Sequence, residues 1–588
     1  MKKWYVSQKK ADFAGIAEKF GIDPVVARII RNRDVVTDEE ISAYLSSGED
    51  GLHDPSLMLG TEEGAKLILS DIESGKKLRV IGDYDIDGIC ATFILVKGLK
   101  SLGANVSYDI PDRIGDGYGI NMRLIDQAGS EGIDTIITCD NGIAAAAEIA
   151  HAGELGMKVV VTDHHEIPFA LKEDGSRLES LPPADVVINP HQEKDKYPFK
   201  GLCGAVVAYK LLWRIYELAG RHAASLLEYI DIAALATVGD IMELKGENRS
   251  IVKLGLDKLH NCTNIGLNAL INVNELSKKS INVYHLGFVI GPCINAGGRL
   301  DTAKTAVSLL MAEDEFTATA LAKELLDLNV KRRKMTEDGV SEAVRIIEEE
   351  GLSSDKVLVV YLPDSHESII GIVAGRIKEK YYKPVIVLTD GEGVVKGSGR
   401  SIEAYNMFEE LSRVKDLFIK FGGHAMAAGL SIAKENITDL RKRLNENTTL
   451  SEDDLTERIN IDVPMPIYYV NEKLISQFDL LEPFGNGNKK PVFAEKDVEV
   501  LEARLVGANK NVLRLKIMDE KSGIMDGIKF NETGDFEAMI RSKYGEEETK
   551  KLFASRSKKV KINIVYYPTI NEFNGRRSIQ INIEDYCI

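Results

Sequence analysis

The chain has 588 residues, of which 44% are hydrophobic and 28% charged, and a formal net charge of -17; such a length exceeds one core and predicts three or four domains at roughly 150 residues each. The acidic balance argues against a protein that coats nucleic acid over its whole surface, and six dispersed cysteines without a C-x-x-C pair argue against a zinc knuckle or a disulfide framework. The N-terminus has no apolar h-region and the chain has no run of about eighteen uncharged apolar residues, so neither secretion nor a membrane span is expected and a reducing cytoplasm fits.

Residues 1–70 read as helices (ADFAGIAEKFGI, DPVVARIIRNR, TDEEISAYLSS), the last opened by a Thr37/Glu40 capping box. They are expected to form a helical cap on the domain after them. Over 71–240 the pattern alternates between Val/Ile-rich runs (LRVIGD, NVSYDI, DTIITCD, KVVVTD, ADVVINP) and amphipathic helices. That alternation predicts a parallel sheet covered on both faces. In such sheets chemistry collects beyond the carboxyl ends of the strands, near a switch point.

Four stretches deliver carboxylates or imidazoles to that rim. Asp83, Asp85 and Asp87 follow the first strand, Asp140-Asn141-Gly142 follows DTIITC, Asp163-His164-His165-Glu166 follows KVVVT, and Asp240 ends IDIAALATVGD. Carboxylates at alternate positions repel one another unless a cation neutralises them. The spacing D-x-D-x-D-G also opens an EF-hand loop, but the twelfth position, which should be a glutamate, is Ile94 in an apolar helical run. Alone, Asp140 reads as a turn former and Asp240 as a helix-terminal polar residue. Two adjacent imidazoles behind an aspartate are less common as loop decoration. Taken together, with no thiolate, the set matches the oxygen and nitrogen ligands of Mn or Mg.

Residues 241–350 turn helical and charged. The stretch from Glu315 to Glu350 has few breakers and predicts a connecting helix or pair of helices, and its Lys331-Arg332-Arg333-Lys334 cluster reads as a solvated face. Ahead of it, Ile294 to Asp301 (INAGGRLD) sets two glycines before Arg299, which lets the guanidinium approach a phosphate closely. A second α/β unit is expected over 351–455. There Gly397-Ser398-Gly399-Arg400-Ser401 combines amides, hydroxyls and a guanidinium suited to an anion, or else forms a tight turn. After the expected helix MFEELSRVKDLFIKF, Gly422-Gly423-His424 admits a close nucleotide contact or else caps that helix.

From 456 to 588, short alternating strands separated by Asn, Gly and Lys predict an OB-like β-barrel. Lys510, Arg514, Lys558, Lys559, Arg576 and Arg577, with Tyr566, Tyr567 and Phe573, supply cations and aromatic faces for a single strand. The competing expectation is that these aromatics fill the small core.

D-Y-D-I-D-G, C-D-N-G, D-H-H and G-D-I, in this order, resemble the motifs of the DHH phosphoesterase superfamily. Phe421 to Leu430 (FGGHAMAAGL) resembles the signature of a DHHA1 domain, and Leu481 to Asn488 (LEPFGNGN) followed by P-V-F resembles the start of the C-terminal OB-fold of the RecJ family. The resemblance covers roughly residues 60–588 and implies an α/β fold class: two α/β lobes (DHH and DHHA1) joined by a long helical connector, plus the C-terminal barrel. It also implies a single-strand-specific 5′ to 3′ exodeoxyribonuclease that releases 5′ mononucleotides in DNA repair and recombination.

Carried onto this sequence, the resemblance implies that Asp85, Asp87, Asp140, His164 and Asp240 ligate two divalent cations, Mn2+ ahead of Mg2+, with Asp140 bridging. Asp83 is a nearby or additional ligand, His165 faces the scissile phosphate, and Asp163 orients the histidine after it. Asp85, Asp140, His164 and His165 form the catalytic set. Arg113, Ser398 and Arg400 are implied to hold the 5′ phosphate, with Arg299, Gly422, Gly423 and His424 also on the substrate. Two cations about 3.5 to 4 Å apart activate a water and stabilise the leaving oxygen in an in-line attack on phosphorus.

The implied partners are single-stranded DNA, a single-stranded-DNA-binding protein and a repair helicase, for a monomer without a membrane. Other DHH phosphodiesterases, acting on short RNA, cyclic dinucleotides or pyrophosphate, need no third domain. A scaffold of the kind found in replication helicase assemblies should have lost ligands that are all present here.

Overall fold

A computed structural model describes residues 2–113, 115–117, 119–171, 177–221, 223–507, 509–521, 523–532, 534–554, 560–573 and 575–588. The chain divides into two compact units, Gly48–Thr456 and Met1–Ser47 with Glu457–Ile588.

In the first unit the five Val/Ile-rich runs form a parallel sheet in the order Asn105–Asp109, Lys77–Ile81, Thr135–Cys139, Lys158–Thr162, Val186–Ile188. Alternate residues face opposite sides of a strand, and here both sides are covered. Leu78, Val80, Ile137 and Val160 join the core containing Ile86–Ser101 and Gly204–Leu218, whereas Ile81, Ile136, Val159 and Val161 pack with Met122–Ser130 and Ala146–Glu154. Uninterrupted apolar runs are the consequence. The strand Lys77–Ile81 lies between Asn105–Asp109 and Thr135–Cys139, so the order reverses beside it and a crevice opens beyond its carboxyl end.

The connector is a single helix, Glu315–Glu349, of 35 residues, about 52 Å long at roughly 1.5 Å per residue. Ala318, Ala322 and Leu325 of its first half enter the core of the parallel sheet, and Ala343 and Ile347 enter that of the following lobe. That lobe carries a sheet in the order Phe418–His424, Ala427–Ile432, Val395–Arg400, Val385–Asp390, Leu358–Tyr361, with only the last two parallel.

Two local readings are corrected here. The helix from Met407 ends at Ser412, and Gly422 and Gly423 lie in a strand and do not cap a helix. Gly397 to Arg400 also lie in a strand, with no tight turn; a Cβ on Gly397 would come within 2.6 Å of Leu388 Cδ2 and 2.7 Å of Leu430 Cδ1 on the neighbouring strands, and one on Gly399 within 3.1 Å of Met407 Sδ on the helix that follows.

In the other unit, Phe493–Val506, Val512–Met518, Ile524–Phe530, Arg576–Cys587 and Val560–Phe573 pair in that order, and the first also pairs with the last, closing a barrel. The expected cap over 1–70 is divided. Residues 1–47 belong with the barrel: Lys3–Val6 pairs in parallel with Arg458–Ile461, Trp4 Nε1 donates to Asp585 Oδ2 at 2.8 Å, and Val26, Ile29, Ile30 and Ile41 share a core with Val500, Leu513 and Leu515. The apolar face of Pro24–Asn32 finds its partner at the far end of the sequence, which a local pattern cannot disclose.

Tyr566 is fully buried with its hydroxyl donating to Met465 O at 2.7 Å, and Tyr567 is 7% exposed. For both, core filling is the outcome and base stacking is not. Lys510, Arg514 and Arg577 are exposed; Lys558 and Lys559, and the side chains of Phe573 and Arg576, lie outside the described residues. Among the described residues no helix is long and apolar enough to cross a membrane.

Candidate metal centre

The turn after Lys77–Ile81 runs directly into the helix Ile86–Ser101. Asp85 caps that helix, its Oδ1 accepting from the amides of Asp87 at 3.0 Å and Gly88 at 3.2 Å. Gly88 is needed because a Cβ there would lie 2.4 Å from the Asp83 nitrogen. Asp83 Oδ1 accepts from Gly119 N at 3.2 Å, while its buried Oδ2 has no hydrogen-bond partner.

Asp87 is held by the amides of Gly204 and Ala205 at 2.6 and 2.8 Å, at a helix N-terminus whose dipole favours an anion. The same helix start presses on Asp140, whose Cβ would be 2.6 Å from any Cβ at position 204. Asp140 adopts φ 61°. The next residue, Asn141, ties two strand ends together by donating from Nδ2 to Ile81 O at 3.1 Å and Cys139 O at 2.9 Å.

His164 Nε2 lies 3.1 Å from Asp140 Oδ1, 3.5 Å from Asp87 Oδ2 and 3.8 Å from Asp240 Oδ2. Ligand atoms fall into three sets, each within 4.8 Å: Asp83, Asp85 and Asp140; Asp87, His164 and Asp240; Asp140, His164 and His165. The structure thus brings together Asp83, Asp85, Asp87, Asp140, His164, His165 and Asp240. Asp163 accepts from Ile143 N at 2.9 Å and His164 N at 2.7 Å, but the ring it engages is that of His165, through Nδ1 at 2.7 Å. The expectation that Asp163 orients the histidine immediately after it is corrected to the second histidine.

Burial, then the charge of Asp85, pushes the Asp83 carboxyl up to about 8; burial, then Asp87 and Asp85, does the same for Asp240, also to about 8. Asp85 and Asp140 are raised by burial and by neighbouring carboxylates, Asp87 foremost. The two histidines diverge. Burial holds His164 below its ordinary range, whereas for His165 burial is outweighed by the Asp163 hydrogen bond and charge, which raise it to about 9. A crowd of buried carboxyls, one oxygen without a partner and no thiolate suits hard divalent cations.

Beside this cluster lies a cleft of 640 Å³ lined by Tyr84, Arg113, Arg299, Ser398, Arg400 and Gly422, together with Lys396 and Lys420. Tyr84 stands between Asp83 and Asp85, and the Arg113 guanidinium lies 4.7 Å over its ring. Arg299 Nη1 donates to Ser368 O at 2.8 Å and Arg400 Nη1 to Ser398 Oγ at 3.1 Å. Burial, then the charge of Arg113, holds Arg299 down to about 10 and also lowers Arg400. An anion among these guanidiniums relieves their repulsion. Gly423 and exposed His424 are not among the residues that line the cleft.

Several contributors escaped the sequence reading. Asn295 Oδ1 accepts from Ile86 N at 2.8 Å, and a Cβ on Gly298 would meet Tyr84 O at 2.4 Å; both residues lie in INAGGRLD, singled out only for Arg299. Tyr84 sits inside D-Y-D. Lys396, Lys420 and the amides of Gly204 and Ala205 carry no sequence signature.

The DHH family N-terminal domain matches residues 77–237, the DHHA1 domain 354–449 and the RecJ OB domain 461–585. The single-stranded-DNA-specific exonuclease RecJ of Bacillus subtilis is 35% identical over 591 residues, spanning 100% of this chain and 71% of that protein. Its counterpart in Escherichia coli is 31% identical, over 96% of each. RecJ of Thermus thermophilus, solved in complex with Mn2+, superposes with a TM-score of 0.82 at 27% identity, covering 99% of this chain and 79% of that one. With its motifs gathered into one cluster and its full length matched at such identity, the chain belongs to the RecJ family.

Proposed function

We propose that this chain is a metal-dependent exonuclease that anchors the 5′ phosphate of single-stranded DNA in the arginine cleft and hydrolyses the adjacent phosphodiester bond, releasing 5′ mononucleotides in DNA repair and recombination. The observation that carries this reading is the juxtaposition of two opposite sites, a carboxylate and imidazole cluster suited to cations and a cleft walled by Arg113, Arg299, Arg400, Lys396 and Lys420 suited to phosphate. The relatives named as single-stranded-DNA-specific exonucleases support it, as does the Mn2+ complex of the Thermus RecJ.

Asp85, Asp87, Asp140, His164 and Asp240, with Asp83 close by, would hold the divalent cations, manganese or magnesium. When bound, the cations supply the Lewis acidity that activates water and stabilises the leaving oxygen. His164, disfavoured as a cation, keeps a lone pair for coordination. His165, cationic at neutral pH, donates to a non-bridging oxygen of the scissile phosphate, and Asp163 keeps its ring turned and charged. Arg113, Arg299, Ser398 and Arg400 fix the terminal phosphate, so that each cut falls one nucleotide from the 5′ end. Lys510, Arg514 and Arg577, exposed on the barrel unit, are cations suited to a single strand. The protein acts as a cytoplasmic monomer, with a single-stranded-DNA-binding protein and a repair helicase as partners.

Purified protein with Mn2+ or Mg2+ is offered end-labelled single strands and duplexes, with either 5′ phosphate or 5′ hydroxyl. Stepwise loss of 5′ mononucleotides from phosphorylated single strands is expected. Equal attack on duplex, or digestion from the 3′ end, overturns the reading.

A further inference from the structure

Tyr284 and Phe288 form a stacked pair with ring centroids 5.2 Å apart and an interplanar angle of 23°, yet they are 61% and 67% exposed. Large aromatics left in water on a rigid element mark a contact surface. Their element is rigid: Asn282 caps it reciprocally with His285, and the chain passes through a π-turn, Leu286–Ile290, into the helix Gly291–Leu300. Such π-turns recur at functional sites.

This rod runs along the metal centre in a readable order. Gly298 lies under Tyr84 O, Asn295 receives the Ile86 amide, Gly291 faces Ile86 Cδ1 and Gly287 faces Val238 Cγ1. Asp83 and Asp85 flank Tyr84, and Asp240 lies two residues beyond Val238. Arg299, in the phosphate cleft, therefore stands at one end of the rod, and the aromatic pair stands at the other, about 16 Å away at helical rise from Phe288.

We propose that Tyr284 and Phe288 are a nucleobase-stacking step that receives bases a few nucleotides in from the 5′ end, on the far side of the metal centre from the phosphate cleft. The inference rests on the single-strand exonuclease reading, since its occupant is the strand whose end that cleft holds. Continuity with the metal centre, and ring faces open to solvent, favour bases over a protein partner. Stacking on aromatic faces is tolerant of sequence, so the step grips any strand without reading it.

The test uses the full chain with Tyr284→Ala, Phe288→Ala and the double variant, and Phe288→Trp as the conservative change. On long 5′-phosphorylated strands the double variant is expected to raise KM on the order of ten-fold or more while kcat stays within about two-fold, with no change on a 5′-phosphorylated dinucleotide. Phe288→Trp should retain the wild-type KM. Strands with abasic positions three to six should cost the wild type as much as the double variant loses on natural DNA, and the two losses should not add. In an Asp140→Asn background, which leaves the strand intact, 2-aminopurine at those positions should be quenched on binding and the quench lost in the double variant.

Unchanged KM on long strands, an equal loss on the dinucleotide, or additive abasic losses overturns the stacking step. Failure of the unaltered protein to degrade single strands overturns the underlying exonuclease reading instead.

Discussion

The acidic centre and the basic cleft meet at Tyr84 but are built in opposite ways. The centre draws Asp83, Asp85, Asp87, Asp140 and His164 from the ends of adjacent strands of one sheet. The cleft draws Arg113, Arg299 and Arg400 from three elements in two lobes, joined through the long helix. In the first, like charges are forced together by a rigid frame, an arrangement suited to cations. In the second, guanidiniums converge only when two cores and a connector are all in place. One site is secured by local folding and the other by assembly.

The largest effect that separates them is expected from Asp140→Ala. It removes the carboxylate shared by two ligand sets and should cut hydrolysis by roughly a thousand-fold or more, while strand binding, measured by fluorescence anisotropy, stays within a few-fold because the cleft is untouched. Turnover within ten-fold of the parent in a metal-titrated assay would show that the two sites do not divide the work this way. Arg299→Ala comes next. About a hundred-fold loss of kcat/KM is expected on 5′-phosphorylated strands and little on 5′-hydroxyl strands, the charge-assisted phosphate contact being what is lost; a loss that ignores the end group would break the comparison.

Asp163→Asn should act more mildly and through pH. Removing the carboxylate that raises His165 to about 9 lowers that histidine, so the alkaline limb of the rate profile moves to lower pH and activity falls more at pH 8 than at pH 6. A uniform loss across pH would point to distortion instead.

The smallest effect concerns the metal-free protein. Asp83 and Asp240 are each raised to about 8 from an unfolded value near 4. The folded state therefore holds extra protons between those limits, so their contribution to stability is full below about 4 and lost as pH passes through about 8. In chelator, Tm should fall by several degrees over that range, and added Mn2+ should restore it most at the alkaline end. A flat response would mean that the carboxyls are not crowded as described.

The contrast also explains what was legible in the sequence. Every metal candidate but Asp240, which ends a helix, follows a Val/Ile-rich strand, so pattern and motif pointed to the same rim. Arg299 and Arg400 stood out through adjacent glycines, though those before Arg400 serve packing, Gly397 against neighbouring strands and Gly399 against Met407. Lys396 and Lys420 did not stand out, because which face of a strand borders a cleft is decided by the lobe opposite. Tyr566 and Tyr567 were ambiguous until barrel closure buried both, and the home of residues 1–47 depended on a strand partner at the other end of the chain.

That last pairing bears on how the protein is made. A ribosome emits the helix bearing Val26, Ile29 and Ile30 well before the barrel residues it packs against, and at roughly 5 to 20 residues per second the wait is on the order of 25 to 95 s. Throughout that interval the nascent amino terminus presents an apolar face fit for a chaperone, and the segment between the two halves must emerge before that face can be covered. Deleting the barrel alone would make the exposure permanent, so an experiment meant to isolate the catalytic half should remove both ends together.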